Sequence, residues 1–312
     1  MTAVLLAPEP ADEPGGEIVE PVYTYGRAKL YRGDCMEWLA QRPENSVHGC
    51  VTDPPYGLVE YTPAQQEKLR AGKGGVWRIP PSYDGHTRAP LPRFTTLTDA
   101  DLQQLRRFFT EWGRAVKRVL VPGGHVLVAG NPLVSHLVST ALDDAGLERR
   151  GEIVRLVMTM RGGDRPKNAE EDYPGVSVMP RSQWEPWVLF RKLPEGRISD
   201  NLAKWKTGGL RRISDDQPFG DVIRSAPTRT AEKKVANHPS LKPQEFLRRV
   251  VRAMLPLGEG IILDPFAGSG STLAAAEAVG YESAGVEMDD AYLALARKAI
   301  PALAAFKVAA SD

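Results

Sequence analysis

The chain has little cysteine and no long apolar run. Cys35 and Cys50 are its two cysteines in 312 residues, too few for a disulfide framework or a thiolate metal cluster. A reducing, cytoplasmic setting is therefore expected. No stretch approaches the roughly 20 apolar residues that span a bilayer, so no membrane contact is expected. Excess charge of one sign is also missing: 40 Lys+Arg stand against 39 Asp+Glu, a formal net charge of +1. Total charge thus singles out no partner. The histidines are scattered, and none joins a cysteine at a spacing that ligates zinc, so no metal is expected. His48, His86, His125 and His136 read as structural or exposed.

The distribution of charge says more than its sum. Gly57–Thr98 carries six Lys/Arg against three acids, and Leu193–Ala236 carries nine against six. From Gly260 onward, seven acids face three bases. Basic excess in two irregular segments suits a groove facing phosphates, although on charge alone solvated loops are the better account.

Periodicity organises the rest. Ala28–Leu30 and Val47–Thr52 read as strands around a helix at Met36–Gln41. Leu102, Leu105, Phe109, Trp112, Val116 and Val119 recur at helical spacing behind a capping-box-like Thr98 and Asp101, and Pro122-Gly123-Gly124 stops that helix. Its aromatics Phe108, Phe109 and Trp112 read as core or a subunit contact. Strands are expected at His125–Ala129, Glu152–Met160, Trp187–Phe190, Ile261–Leu263 and Ser283–Val286. Helices are expected at Leu133–Ala145, Pro243–Leu255, Ser271–Val279 and Ala291–Ile300, the last ended by Pro301. Alternating strands and helices predict a mostly parallel sheet covered on both faces. Residues 1–24 read as a disordered leader, with Glu9–Glu20 acidic and rich in Pro and Gly. Residues 25–192 and 237–312 read as the two halves of one α/β domain. Residues 57–98 read as a mobile loop of the first half, and 193–236 as an insert between the halves.

Two motifs carry chemistry. Ile261-Ile262-Leu263-Asp264-Pro265-Phe266-Ala267-Gly268-Ser269-Gly270-Ser271-Thr272 is an apolar strand ending in an acid, then a Gly-rich turn opening a helix. Ligands of open α/β sheets bind at such strand ends. The turn lacks a full G-x-G-x-x-G, and no Gly-Lys-Ser/Thr follows, which argues against a dinucleotide site and an ATPase loop. One strand later, Glu287 in Gly285-Val286-Glu287-Met288-Asp289 is placed to accept from a ribose diol. The second motif is Val51-Thr52-Asp53-Pro54-Pro55-Tyr56. Its carboxylate and fixed carbonyl can accept both hydrogens of an aromatic amine, and the Tyr56 ring can stack on the base that carries it.

Together, Asp53-Pro54-Pro55-Tyr56 and Phe266-Ala267-Gly268-Ser269-Gly270 resemble the amino-methylating DNA methyltransferases, in the motif order of their beta group. Tyr31-Arg32-Gly33-Asp34-Cys35 resembles the family's adenine-side cofactor strand. Asn237-His238-Pro239-Ser240-Leu241-Lys242-Pro243 resembles its segment near the methionine end of the cofactor. Ser182-Gln183-Trp184-Glu185 with Val188–Lys192 resembles the strand pair before its recognition region, with Pro186 an irregularity. The likeness spans Tyr31–Ile300 and thins at 57–98 and 193–236.

The resemblance implies a Rossmann-like methyltransferase fold, with a mostly parallel seven-stranded sheet in circularly rearranged order and a small recognition insert at 193–236. It implies S-adenosyl-L-methionine as cofactor, held by Asp34, Cys35, His238, Lys242, Asp264, Phe266, Ala267, Gly268, Ser269, Gly270, Ser271, Thr272 and Glu287. Asp53, Pro54, Pro55 and Tyr56 would be catalytic, and double-stranded DNA the partner. The target base would be flipped out, with Arg211, Arg212, Arg224 and Arg229 as candidate DNA contacts. Taken singly, each of these arginines reads first as a solvated charge. Adenine N6 is the expected target, since Asp-Pro-Pro-Tyr goes with adenine and Ser-Pro-Pro-Tyr with cytosine N4. Cytosine N4, a protein glutamine amide and a catalytically silent DNA-binding module are the alternatives. Cytosine C5 chemistry needs a Pro-Cys nucleophile, and neither cysteine follows a proline. A homodimer and a restriction or other defence-system partner are left open.

Overall fold

A computed structural model describes residues 20–55, 99–132, 134–157, 166, 169–178, 183–236 and 241–308. The leader through residue 19, the loop 57–98 and the segment around His238 lie outside the described residues, as do Tyr56 and the Thr98 half of the expected capping box.

Strand and helix alternate as the periodicity predicts. The strands are β1 (Tyr23–Tyr25), β2 (Ala28–Arg32), β3 (Val47–Thr52), β4 (Leu120–Ala129), β5 (Glu148–Leu156), β6 (Trp184–Arg191), β7 (Val222–Arg224), β8 (Ile261–Asp264) and β9 (Glu282–Glu287). The helices are α1 (Cys35–Ala40), α2 (Asp99–Val119), α3 (Ser135–Asp144), α4 (Ile198–Trp205), α5 (Thr230–Val235), α6 (Gln244–Met254), α7 (Ser271–Ala278) and α8 (Asp290–Ala304).

One sheet holds all the described strands in the order β1-β2-β9-β8-β3-β4-β6-β5-β7. β2, β9, β8, β3 and β4 run parallel, while β6 lies antiparallel to β4 and β5. The circular rearrangement is visible in that order: β8 and β9, last in the sequence, sit between β2 and β3, near its start. Seven strands form the expected core of the sheet, and three-residue β1 and β7 extend its edges. β7 comes from the candidate insert and pairs in parallel with β5, so part of 193–236 belongs to the same sheet.

Side-chain alternation splits the core into two layers. Cys50, Val126, Val128, Val188 and Phe190 face α1, α2 and α3, where they meet Leu39, Phe109, Trp112, Val116, Val138 and Leu142. Val51, Leu127, Ala129, Trp187 and Leu189 face α6 and α7, meeting Phe246, Leu247, Val250, Met254 and Ala275. Burial on both faces explains why β4 reads as a continuous apolar run.

Three prolines behave differently from expectation. Pro122-Gly123-Gly124 does end α2, yet it lies inside β4. The β3–β4 register shifts between Val47 and Gly49, and this bulge absorbs it, with Gly123 at φ 78°. Pro186 lies inside β6, which runs through it. Its carbonyl accepts from the Gly130 N–H at 2.7 Å, one residue beyond the last β4 pair, Ala129–Trp187, so its missing N–H costs only the return bond at the end of that ladder. Pro301 lies inside α8. Ile300 and Leu303 are fully buried around it, and the Arg248 guanidinium caps the Leu303, Ala304 and Phe306 carbonyls at 2.9–3.1 Å, so tertiary contacts carry the helix past the break.

Candidate active site

Four acids stand at the carboxyl ends of four neighbouring strands. Asp34 follows β2, Glu287 closes β9, Asp264 closes β8 and Asp53 follows β3. With strands about 4.8 Å apart, the row spans about 14 Å, enough for a nucleoside with a short side chain.

Each acid is held by its local chain. Asp34 caps α1, its Oδ1 accepting from the Met36 and Glu37 N–H groups at 2.7 and 3.2 Å. Glu287 accepts from the Gly268 N–H through Oε2 and from the Asp289 N–H through Oε1, both at 2.8 Å. The acid of β9 thereby fixes the Gly-rich turn after β8. Within that turn the Gly270 N–H donates to Ala267 O at 2.7 Å, and Gly268 and Gly270 adopt φ of 50° and 76°, a region glycine enters without strain. Phe266 leans on the α2 aromatics, 5.9 Å from Trp112 and 6.3 Å from Phe108 between ring centroids. Ser269, Ser271 and Thr272 are buried at the head of α7, and the Ser269 and Ser271 hydroxyls lie 3.2 Å apart.

Asp264 lies beneath this turn. Its Oδ1 accepts from Thr52 Oγ1 at 2.7 Å and from the Phe266 N–H at 3.2 Å. Burial pushes its carboxyl up to about 6 despite hydrogen bonds from Thr52, Thr272 and the Phe266 N–H; the nearby Asp53 charge adds to the rise. Thr52 was not among the expected site residues, and this bond makes it one. Burial likewise pushes the Cys35 thiol up to about 12, with Asp34 adding to the effect, and holds Cys50 well above its usual range. Neither cysteine is a thiolate at neutral pH.

Asp53 opens a line of buried charge. Lys242 Nζ lies 2.9 Å from Asp53 Oδ2 and 3.5 Å from Glu185 Oε1. Glu185 also accepts from Arg155 Nη1 at 2.9 Å and from the Trp187 indole N–H at 2.8 Å. Burial pushes the Glu185 carboxyl up, but Lys242, Arg155 and the Trp187 N–H outweigh it and hold it low. For Lys242, burial works against the ammonium, and Asp53 and Glu185 outweigh it and raise its pKa. Arg155 continues the line: Nε donates to Ser225 Oγ and Nη2 to Ala226 O, both at 3.1 Å, and its guanidinium sits 5.3 Å from the Phe246 ring centroid. Sequence reading missed Arg155 and gave Glu185 no role. Arg155 is one of five charged residues in β5, and Glu185 is the second residue of β6, so neither stood out by pattern.

The four candidate arginines of 193–236 do not converge. Arg211 donates to Tyr281 Oη at 2.8 Å, next to the start of β9 and so at the end of the sheet away from the acids. Neighbouring Arg212 is exposed and donates to the Ser214 and Asp215 carbonyls. Arg224 is exposed at the carboxyl end of β7, level with Leu156 of β5 and on the same end of the sheet as Asp53. Arg229 precedes α5 and pairs with Glu245 at 3.3 Å.

The profile of the N6/N4 DNA methylases matches residues 47–298. Curated relatives include the Type II methyltransferase M2.DpnII of Streptococcus pneumoniae, 24% identical over 92% of this chain and 95% of that protein. Another is the Type II methyltransferase M.HindIII of Haemophilus influenzae, 23% identical over 81% of this chain and 90% of that one. Among solved structures, the cytosine-N4-specific PvuII DNA methyltransferase superposes with a TM-score of 0.59 at 18% identity, covering 94% of this chain and 91% of that one. A modification methylase of Thermus thermophilus, TTHA0409, complexed with S-adenosyl-L-methionine, gives 0.53 at 22% identity, covering 88% and 94%. With its profile match running from β3 into α8, the chain belongs to the N6/N4 DNA methylase family, the DNA methyltransferases that take their methyl group from S-adenosylmethionine.

Proposed function

We propose that the chain methylates N6 of adenine at a specific sequence in double-stranded DNA, with Asp53, Pro54, Pro55 and Tyr56 around the reacting amine. The observation that carries this reading is the position of Asp53, one strand from the Asp264 turn and joined to it through adjacent Thr52.

The strand-end row fits a phosphate-free, cationic cofactor. Four carboxylates would repel a pyrophosphate and attract a sulfonium. Glu287 suits a ribose diol, and Met288 beside it, 68% exposed, offers an apolar surface to a flat ring. When bound, S-adenosylmethionine supplies an electrophilic methyl group. Asp53 and the Pro54 carbonyl accept the two hydrogens of the target amine, which returns lone-pair density to nitrogen and aims it. Lys242 on Asp53 Oδ2 limits the directions that carboxylate can take, and prior orientation supplies much of the acceleration. Tyr56 stacks on the flipped base. Arg224, on the Asp53 end of the sheet, is the arginine of the insert best sited for a phosphate. The Type II names of the relatives point to a restriction–modification setting for this chain.

The test is expression of the wild type and Asp53→Ala in a host free of DNA methylation, followed by single-molecule sequencing of its genome. One motif carrying N6-methyladenine with the wild type alone is the expected result. Transfer by purified Asp53→Ala should fall by at least about 10²-fold with cofactor binding retained. N4-methylcytosine in the same experiment would overturn the adenine assignment and keep the amine chemistry.

A further inference from the structure

We infer that Glu185 and Arg155 form a positioning relay that sets Asp53 through Lys242 and ties it to the segment following β7. The inference rests on the reading of Asp53 as the group that accepts the target amine.

The geometry is a chain of alternating charge: Asp53, Lys242, Glu185, Arg155. Contacts of 2.9, 3.5 and 2.9 Å join successive members. The side chains are 19%, 16%, 17% and 5% exposed, so water screens them little. Within the chain, Lys242 is shared between two carboxylates. Without the Glu185 charge, Asp53 is the one carboxylate left beside the ammonium among the described ion pairs, and Arg155 becomes a second cation facing Lys242. Lys242 would then be driven toward Asp53 and compete with the amine for its oxygens. Glu185 therefore sets how Lys242 engages the catalytic carboxylate.

Arg155 fixes Glu185 in turn, and its own anchors are Ser225 Oγ and Ala226 O, directly after β7. Arg224, exposed one residue earlier, is the arginine proposed above to meet DNA. A shift of this segment when DNA binds would pass along the chain to Asp53. Neither Glu185 nor Arg155 touches a reacting atom in this scheme, and both are positioning residues.

The experiment is a double-mutant cycle of Glu185→Gln and Lys242→Met in the full-length protein, reading kcat, KM for DNA, cofactor Kd and urea stability. Glu185→Gln keeps the shape and removes the charge. Alone, it should lower kcat by roughly 10–100-fold, as expected for a mispositioned group, and change KM and cofactor Kd by less than about twofold. In the Lys242→Met background it should change kcat less than about threefold. Arg155→Met should resemble Glu185→Gln in kcat, with partial recovery in Arg155→Lys, which retains a cation for Glu185. Independent, multiplying effects of Glu185→Gln and Lys242→Met on kcat would overturn the relay and leave the amine chemistry intact. So would losses confined to stability or KM. A well-folded wild type that transfers no methyl group to DNA would overturn the reading of Asp53, and the relay with it.

Discussion

Glu287 uses both carboxylate oxygens on backbone N–H groups, one in the Gly-rich turn and one at the entry to α8. Glu287→Ala should therefore remove a contact for the cofactor and also loosen the turn. Cofactor affinity should drop roughly 10–100-fold, the range for a lost charge-assisted hydrogen bond, as measured by calorimetry. An unchanged dissociation constant would remove Glu287 from the site. Asp53, Asp264 and Glu287 were legible in the sequence because each stands where an apolar strand stops and a turn begins, whereas Asp34, behind Lys29 and Arg32, came only from the family likeness of Tyr31–Cys35. Glu185 and Arg155 were not, since they meet only through the antiparallel β5–β6 register, which no local pattern announces. Lys242 was legible as a motif member, but its ion pair with Asp53 joins residues far apart in the sequence. Charge counting within 193–236 could not say which end of the sheet an arginine serves, and Arg211 and Arg224 prove to lie at opposite ends.

At the scale of elements, the turn into α7 is the tightest joint in the site. A Cβ on Gly270 would stand 2.4 Å from Ile300 Cγ1 in α8, and the residue holds φ 76°. Gly270→Ala combines backbone strain with overpacking, and each costs about 1–3 kcal/mol. Urea unfolding should show a loss of about 2–4 kcal/mol, and a loss below about 0.5 kcal/mol would mean that α8 yields easily. Long helices with a clear period, such as α2 and α6, were predictable from sequence, as was the apolar half of β4 at His125–Ala129. β1 and β7 were not, because three residues carry no period and their strand character comes from the neighbour they pair with. The continuation of α8 past Pro301 depended on Arg248, a partner some fifty residues earlier in the chain that no helix rule consults.

For the whole molecule, the circular order follows from motif order. The Asp-Pro-Pro-Tyr strand precedes the Gly-rich one in the chain, and the sheet places them side by side at β3 and β8. This central joint buries Asp264, whose carboxyl is pushed up to about 6 from 3.8. A folded-state pKa above the unfolded one means that the folded protein holds the proton more tightly. The Asp264 contribution is thus fully present below pH 3.8 and is lost as pH rises through about 6. The shift corresponds to about 3 kcal/mol at neutral pH. Asp264→Asn keeps an acceptor for Thr52 and the Phe266 N–H and never ionises. The difference in unfolding free energy, variant minus wild type, should therefore rise by about 2 kcal/mol between pH 4 and pH 7, with the other titrating groups cancelling. A difference that stays flat across this window would mean that the Asp264 charge is solvated in the folded state. A rising difference would mean that the wild type holds a costly anion under its strand-end row at neutral pH. A cationic ligand there would offset that cost, so S-adenosylmethionine should raise the melting temperature of the wild type more at pH 7 than that of Asp264→Asn.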